Sequence, residues 1–171
     1  LSVGYFGNYI PTQLDVNICS KDIAFNYKYD ISSLLPSCRG SKKLVFTNGC
    51  FDILHYGHLH LLRACKKRGD ILVVGLNSDD SIKRLKGESR PINSFMHRYE
   101  LLKELDCVDY VIPFDEDTPI ELIKKLRPNL LVKGGDYKIE DIVGSEFCDD
   151  TDIVEYIPSL STTSVVHKLS L

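Results

Sequence analysis

The sequence predicts an α/β fold: a Rossmann-like, doubly wound parallel sheet in a single domain with an irregular N-terminal extension. From residue 42 onward, short apolar runs alternate with amphipathic stretches of helical period. The run at 71–76 is apolar along its length instead of at every other position. Strands of that composition are typical of a parallel sheet that helices cover on both faces.

The first elements follow in a regular order. Run 44–47 predicts a strand, and a helix covers about 57–68 before Gly69 ends it. Run 71–76 predicts the second strand, and the polar segment 77–80 caps a short helix that reaches about residue 86. Segment 91–94 precedes a further helix at 97–105.

The remaining elements complete the alternation. Run 109–112 predicts the third strand, and a helix starts at about Pro119 and stops before Pro128. Runs 130–132 and 153–157 predict the last two strands, and a closing helix covers 163–169.

The N-terminal segment 1–41 differs from the rest. It is rich in Asn, Tyr and Ser, shows no sustained period, and ends at 35–41 in a turn-forming linker composition. We therefore place a domain boundary at residue 41, with the catalytic or binding domain at 42–171. Because the chain begins at Leu1, we expect it to be processed or cut from a longer protein.

Composition excludes several classes of protein. The net charge of −3 argues against a general nucleic-acid binder, and no apolar run approaches the length of a membrane span. With no visible signal peptide, we expect a cytoplasmic protein. The six cysteines are scattered without a C-x-x-C pair, so reduced thiols are favoured over a disulfide set.

Ligands of such sheets bind beyond the carboxyl ends of the strands. Three polar segments fall there, at 48–58, 77–80 and 133–137. Neither a Walker A loop nor G-x-G-x-x-G occurs, which excludes the usual P-loop and dinucleotide sites.

His55 and His58 are the strongest candidate catalytic residues. Their spacing puts both on one face of a helix's first turn, beside free backbone N–H groups that favour phosphate. Gly57 between them lets backbone and phosphate approach closely. A zinc site that includes His60, or ordinary capping histidines, are the alternatives.

Other segments offer further contacts. Lys86, Arg90 and Arg98 belong to a basic stretch that suits substrate or triphosphate, although a solvated face is the alternative. The turn at 133–137 offers a cation, permissive backbone and a carboxylate for a base, ribose or phosphate, unless it is only a tight turn. Segment 161–163 caps the last helix and can cradle a phosphate. No residue has the setting of a covalent nucleophile, so direct displacement is expected.

The pattern Gly49-x-Phe51-Asp52-x-x-His55-x-Gly57-His58 resembles the signature of the H-x-G-H nucleotidyltransferases, the cytidylyltransferase-like superfamily. Six segments in the same order, 47–58, 69–79, 85–92, 108–119, 131–137 and 161–163, are similar to a narrower group. These are the adenylyltransferase domains of bifunctional heptose-phosphate kinase/adenylyltransferases of lipopolysaccharide core synthesis.

The resemblance implies a nucleotidyltransferase fold and transfer of AMP from ATP to D-glycero-β-D-manno-heptose 1-phosphate, giving ADP-heptose and pyrophosphate. It implies Mg²⁺ bound with ATP, with no metal ligand assigned in the chain. The implied catalytic residues are His55, His58 and Lys86. The implied nucleotide-binding residues are Thr47, Asn48, Gly49, Cys50, Phe51, Gly57, Lys133, Gly134, Gly135, Asp136, Tyr137, Ser161, Thr162 and Thr163, and the substrate-binding residues are Asn77, Asp79, Arg90 and Arg98.

Alternatives remain within and beyond this family. The segment 157–160 is short and uncharged where the family carries a longer, charged loop, which leaves one phosphate contact without a residue. One alternative function is a nucleotidyltransferase that uses another phosphate acceptor, such as glycerol 3-phosphate, or CTP as the donor. The other alternative is a non-catalytic nucleotide-binding module. Segment 1–15 resembles the end of a sugar kinase domain, so a fused or partnering kinase and a homodimer are the expected partners.

Overall fold

The computed structural model describes residues 31–135 and 138–155. Five strands form one sheet: β1 (Leu44–Gly49), β2 (Ile71–Asn77), β3 (Tyr110–Phe114), β4 (Leu130–Gly134) and β5 (Asp150–Val154). Their order is β3-β2-β1-β4-β5, and every neighbouring pair is parallel. The chain runs outward from β1 in one direction and then returns to run outward from β4 in the other. The order therefore reverses between β1 and β4, which confirms the doubly wound parallel sheet.

Five helices accompany the strands in the described part of the chain. They are α1 (Ile31–Cys38), α2 (Tyr56–Lys66), α3 (Asp79–Lys86), α4 (Phe95–Lys103) and α5 (Ile120–Leu126), with single 3₁₀ turns at Ile139–Asp141 and Ser145–Phe147. Within these residues, no helix has the length and apolar character that crossing a membrane requires. The predicted closing helix at 163–169 lies outside the described residues.

Helices cover both faces of the sheet. On one face Leu62 and Cys65 of α2 and Tyr99 and Leu102 of α4 pack against strand side chains such as Val45. On the other face Leu35 of α1 and Leu122, Ile123 and Leu126 of α5 pack against Leu44, Phe46 and Val73. Adjacent residues of β1 thus enter different cores, which explains why its apolar run is continuous.

The helix predicted at 97–105 covers Phe95–Lys103, and the predicted bounds of the last strand are also wrong. The last strand is Asp150–Val154 instead of 153–157, because it lies at the sheet edge and carries acidic residues that an apolar pattern passes over. Its start is fixed by a hydrogen bond from the Asp150 N–H to the Asn129 carbonyl, 3.1 Å long.

The segment predicted to be a linker is also partly helical. Residues 35–38 close α1, and Leu35 is buried in the core that it shares with α5. The placement of the domain boundary at residue 41 stays a prediction.

Cys50, Cys65, Cys107 and Cys148 form no disulfide with one another. Burial raises the pKa of the Cys65 thiol to about 12, which makes it a core residue and an unreactive thiol.

Candidate active site

The candidate site lies at the carboxyl edge of the sheet. The end of β1 leads through residues 50–55 into α2, the end of β2 leads into α3, and β4 ends in Lys133 and Gly134. β1 is hydrogen-bonded to both β2 and β4, so three segments that are distant in sequence come together here.

The two predicted catalytic histidines are in contact. His55 is the residue before α2 and His58 lies in its first turn. Their rings stack with centroids 3.8 Å apart and planes inclined by 26°. The His55 backbone N–H donates to Nδ1 of His58 over 3.4 Å, and the Phe51 ring packs on His58 with centroids 5.1 Å apart. The first turn of α2 contains no acidic residue, so its free N–H groups face the site without a competing carboxylate.

Burial lowers the pKa of both imidazoles. Burial is the main cause for His58, whose pKa falls to about 4. The positive charges of Lys86 and of protonated His55 lower it further, whereas a hydrogen bond with the Ile53 backbone acts to raise it. Burial alone lowers the pKa of His55. Both rings are therefore neutral near pH 7. The influence of Lys86 on His58 also shows that the structure brings this exposed lysine within electrostatic reach of the pair.

Two polar atoms at the site have no hydrogen-bond partner among the described residues. They are the hydroxyl of Thr47, near the end of β1, and Nδ1 of His55, and both atoms are buried. Buried polar atoms in native proteins are nearly always paired. A polar ligand at this edge of the sheet would supply the missing partner.

Arg98 holds the site segments together. Its side chain is fully buried, and Nη1 donates to the carbonyls of Cys50 (2.7 Å) and Asn77 (2.9 Å). Nη2 donates to the Asp79 carboxylate over 2.6 Å, and Nε donates to the Asn93 carbonyl over 3.1 Å. These four hydrogen bonds within the chain make Arg98 a residue that positions the site segments. A direct contact of Arg98 with substrate stays a prediction.

The other predicted substrate-binding residues are also tied into the site. Asn77 is buried and its side-chain amide donates to the Ser81 hydroxyl over 3.0 Å. The second carboxylate oxygen of Asp79 accepts from the Phe95 N–H over 3.1 Å. Direct contacts of Asn77 and Asp79 with a substrate stay predictions.

Arg90 pairs with Asp52, a residue of the first loop for which no separate role was predicted. Nε of Arg90 donates to this buried carboxylate over 2.6 Å, and the Asn93 N–H donates to its other oxygen over 2.8 Å. Burial acts to raise the pKa of Asp52, but the hydrogen bonds from the backbone of Asn93 and Ile92 and from Arg90 outweigh it and lower the pKa. The segment around residues 90–93 is thereby fastened over the loop that leads to His55.

Lys133 lies near the end of β4, at the same edge of the sheet as the histidine pair. Its ammonium donates to the Asn48 side-chain oxygen, and burial lowers its pKa to about 8. The adjoining Gly134 leaves room for α2, because a Cβ there would lie 3.0 Å from a methyl group of Leu61.

Gly49, the last residue of β1, lies close to the first loop. A Cβ on Gly49 would lie 3.1 Å from the Phe51 ring, and Phe51 itself has a positive φ of 47°. The predicted nucleotide-binding residues Asp136, Tyr137, Ser161, Thr162 and Thr163 lie outside the described residues.

The described ranges, 31–135 and 138–155, contain four of the chain's five histidines. There, no group of three or more His, Cys, Asp or Glu side chains is arranged to hold a metal ion. His60, two residues after His58, is exposed.

Comparison with known proteins gives consistent matches. Residues 46–164 match the family described as cytidylyltransferase-like. The bifunctional protein HldE of Campylobacter curvus is 58% identical over 133 residues, which are 78% of this chain and 28% of that protein. HldE of Campylobacter fetus is 49% identical over 154 residues, 90% of this chain and 34% of the relative. The chain therefore spans about a third of the length of these relatives.

A solved structure extends the match to three dimensions. The lipopolysaccharide core biosynthesis protein of Thermoplasma volcanium superposes with a TM-score of 0.55 and 31% sequence identity. The match covers 68% of this chain and 98% of that one.

Proposed function

The chain belongs to the cytidylyltransferase-like family, and from that premise we propose that it transfers AMP from ATP to D-glycero-β-D-manno-heptose 1-phosphate. The products are ADP-heptose and pyrophosphate. The family makes the chain a nucleotidyltransferase. The choice of donor and acceptor rests on its similarity to HldE proteins and to a lipopolysaccharide core biosynthesis protein.

The stacked pair of His55 and His58 at the start of α2 carries the proposal. Neutral imidazoles beside free backbone N–H groups form a site for oxygen atoms that bear negative charge. The unpartnered Nδ1 of His55 and hydroxyl of Thr47 add buried polar atoms at the same place. His55 is also the N-cap residue of α2, and its N–H donates to Nδ1 of His58. Capping alone requires neither the stacking of the two rings nor an unpartnered hydroxyl at Thr47.

The reaction is a single displacement at phosphorus. An oxygen of the sugar phosphate attacks the α-phosphorus of ATP, a new P–O bond forms, and the bond to the bridging oxygen of the β-phosphate breaks. Pyrophosphate leaves with that electron pair. The imidazoles of His55 and His58 stabilise the charge that develops on the α- and β-phosphate oxygens, and Lys86 neutralises the phosphates from the exposed side.

ATP in this reaction would carry Mg²⁺. The site carboxylates in the described part of the chain, Asp52 and Asp79, are already paired with Arg90 and Arg98. These residues therefore fit an ion that is held mainly through phosphate oxygens, which is common for Mg²⁺. The ion, when bound, would neutralise charge on the triphosphate.

The relatives suggest the setting of the reaction. Because the chain spans about a third of the bifunctional HldE relatives, the proposal includes a sugar kinase domain as a fused or separate partner. It also includes a homodimer and a cytoplasmic location. A kinase that acts earlier on the same sugar would supply the phosphate that attacks ATP.

Pyrophosphate release tests donor and acceptor together. ATP and CTP are each supplied with Mg²⁺ and with either heptose 1-phosphate or glycerol 3-phosphate. We expect release only with ATP and heptose 1-phosphate together. Release with CTP and glycerol 3-phosphate would move the proposal to another member of the family, and ATP binding without release from any pair would favour a non-catalytic module.

A further inference from the structure

We propose that Lys133 is a phosphate-binding residue that exchanges its hydrogen bond with Asn48 for one with an anionic oxygen of the bound nucleotide, and that this exchange is coupled to proton uptake. The inference rests on the nucleotide-transfer function proposed above. It assigns to Lys133 a phosphate instead of the base or ribose.

Lys133 lies where the order of strands in the sheet reverses. It lies in β4, and Asn48 lies in β1, the strand beside it. The order of strands reverses between β1 and β4, so the bond from Lys133 to Asn48 spans the crevice at the switch point of the sheet. Asn48 also opens the loop that leads to the histidine pair, which places the ammonium beside the predicted path of the phosphates.

The charge of Lys133 is a further argument. Within the described ranges, its side chain pairs with no carboxylate, and its hydrogen-bond partner Asn48 is neutral. A cation that is withdrawn from water without a counter-charge is costly, and proteins normally pair such groups. A base or a ribose would leave that charge uncompensated, whereas a phosphate oxygen would balance it.

The surroundings explain the coupling to protons. Burial lowers the pKa of Lys133 to about 8, so free protein near that pH holds a mixture of amine and ammonium. At the same edge of the sheet, the titratable groups at the start of α2 are His55 and His58, which are neutral at that pH. On the β5 side Asp152 is held by Arg68, with Nε and Oδ2 2.7 Å apart. Binding of an anion would favour the ammonium and raise the pKa of Lys133.

The test measures binding and does not depend on catalysis. Calorimetry gives the affinities for ATP, pyrophosphate and adenosine at about pH 8.5, in two buffers of different ionisation enthalpy, so that proton uptake is measured as well. The variants are Lys133→Met, which removes the charge, and Lys133→Arg, which keeps it at every pH. Lys138→Met is the matched control, because Lys138 lies five residues further along with its side chain 77% exposed.

We expect Lys133→Met to weaken ATP and pyrophosphate binding by about tenfold or more, the size of one lost charge-assisted hydrogen bond, and to change adenosine affinity by less than about twofold. Lys133→Arg should retain binding but lose the proton uptake of the wild type. Unfolding midpoints should not fall in Lys133→Met, because a buried charge has been removed, and Lys138→Met should match the wild type throughout.

Three results would overturn the proposal. One is ATP affinity in Lys133→Met within about threefold of the wild type; the second is an equal loss for ATP and adenosine, which indicates a base or ribose contact. The third is a wild type that binds neither ATP nor pyrophosphate. Lysine-dependent ATP binding without formation of an ADP-sugar would refute the proposed reaction and leave this inference standing.

Discussion

The chemistry of the site depends on how each histidine is held. His58 is packed between the rings of His55 and Phe51, and this burial keeps the imidazole neutral. A neutral ring can donate a hydrogen bond to a phosphate oxygen, and an approaching phosphate raises its affinity for a proton. The same packing that lowers the pKa of the free protein therefore prepares the site for a polyanion.

The first prediction concerns activity at His58. Replacing it with alanine removes one donor to the developing charge and should lower kcat by roughly 10²- to 10³-fold. Steady-state rates of pyrophosphate release measure the effect. His60→Ala is the control, because His60 lies exposed on the same helix. A loss under about threefold in His58→Ala would remove this imidazole from the mechanism.

The second prediction concerns the pH dependence of stability. The unfolded chain protonates His58 near pH 6.5, but the folded chain does so only near pH 4, so the unfolded state binds more protons between these values. The free energy of unfolding should fall as pH falls through that window, by up to about 3 kcal/mol from this residue. Urea unfolding at several pH values should show a shallower loss in His58→Gln than in the wild type or in His60→Gln. Equal slopes in all three would contradict the assigned burial.

At the scale of elements, the site is held by contacts between segments that are far apart in sequence. Arg98 joins the ends of β1 and β2 to the start of α3, and Asp52 fastens residues 90–93 to the first loop. Strands and helices could be predicted because their apolar periods are local. The contacts of Arg98 and Asp52 could not be predicted, because the sequence does not distinguish a buried arginine from an exposed one.

Arg98→Met should therefore destabilise the fold. It leaves the partly exposed Asp79 carboxylate and the carbonyls of Cys50, Asn77 and Asn93 without their donor. Each of these groups that stays buried without a partner costs about 1–3 kcal/mol. Urea midpoints measure the loss, which the double change with Asp79→Asn should reduce. Arg84→Met, at an exposed ion pair with Asp117, should shift the midpoint far less. An equal shift in Arg84→Met and Arg98→Met would show that Arg98 is not a structural brace.

Helix α1 gives a second prediction at this scale. Leu35 is fully buried between α5 and the sheet, although its segment has the composition of a linker. Leu35→Ala should lower the free energy of unfolding by about 2–5 kcal/mol. Ser37→Ala, at an exposed position of the same helix, is the control. Equal stability of the two variants would show that the packing of α1 on the core does not contribute to the stability of the protein.

For the whole molecule, strand order determines where the site forms. Residues near 48, 77 and 133 meet because β1, β2 and β4 end at one edge of a parallel sheet. That rule is general, so the sequence alone could locate the site and indicate the histidine pair. It could not show that Arg90 and Arg98 hold the loops, because their partners Asp52 and Asp79 are distant from them in sequence.

The most direct test of the proposed reaction is detection of its product. The chain is incubated with ATP, Mg²⁺ and D-glycero-β-D-manno-heptose 1-phosphate, and ADP-heptose is identified by mass spectrometry and ³¹P NMR. We expect one ADP-heptose for each pyrophosphate, dependent on both substrates and nearly lost in His58→Ala. Absence of ADP-heptose from a folded protein that binds ATP would contradict the proposed function.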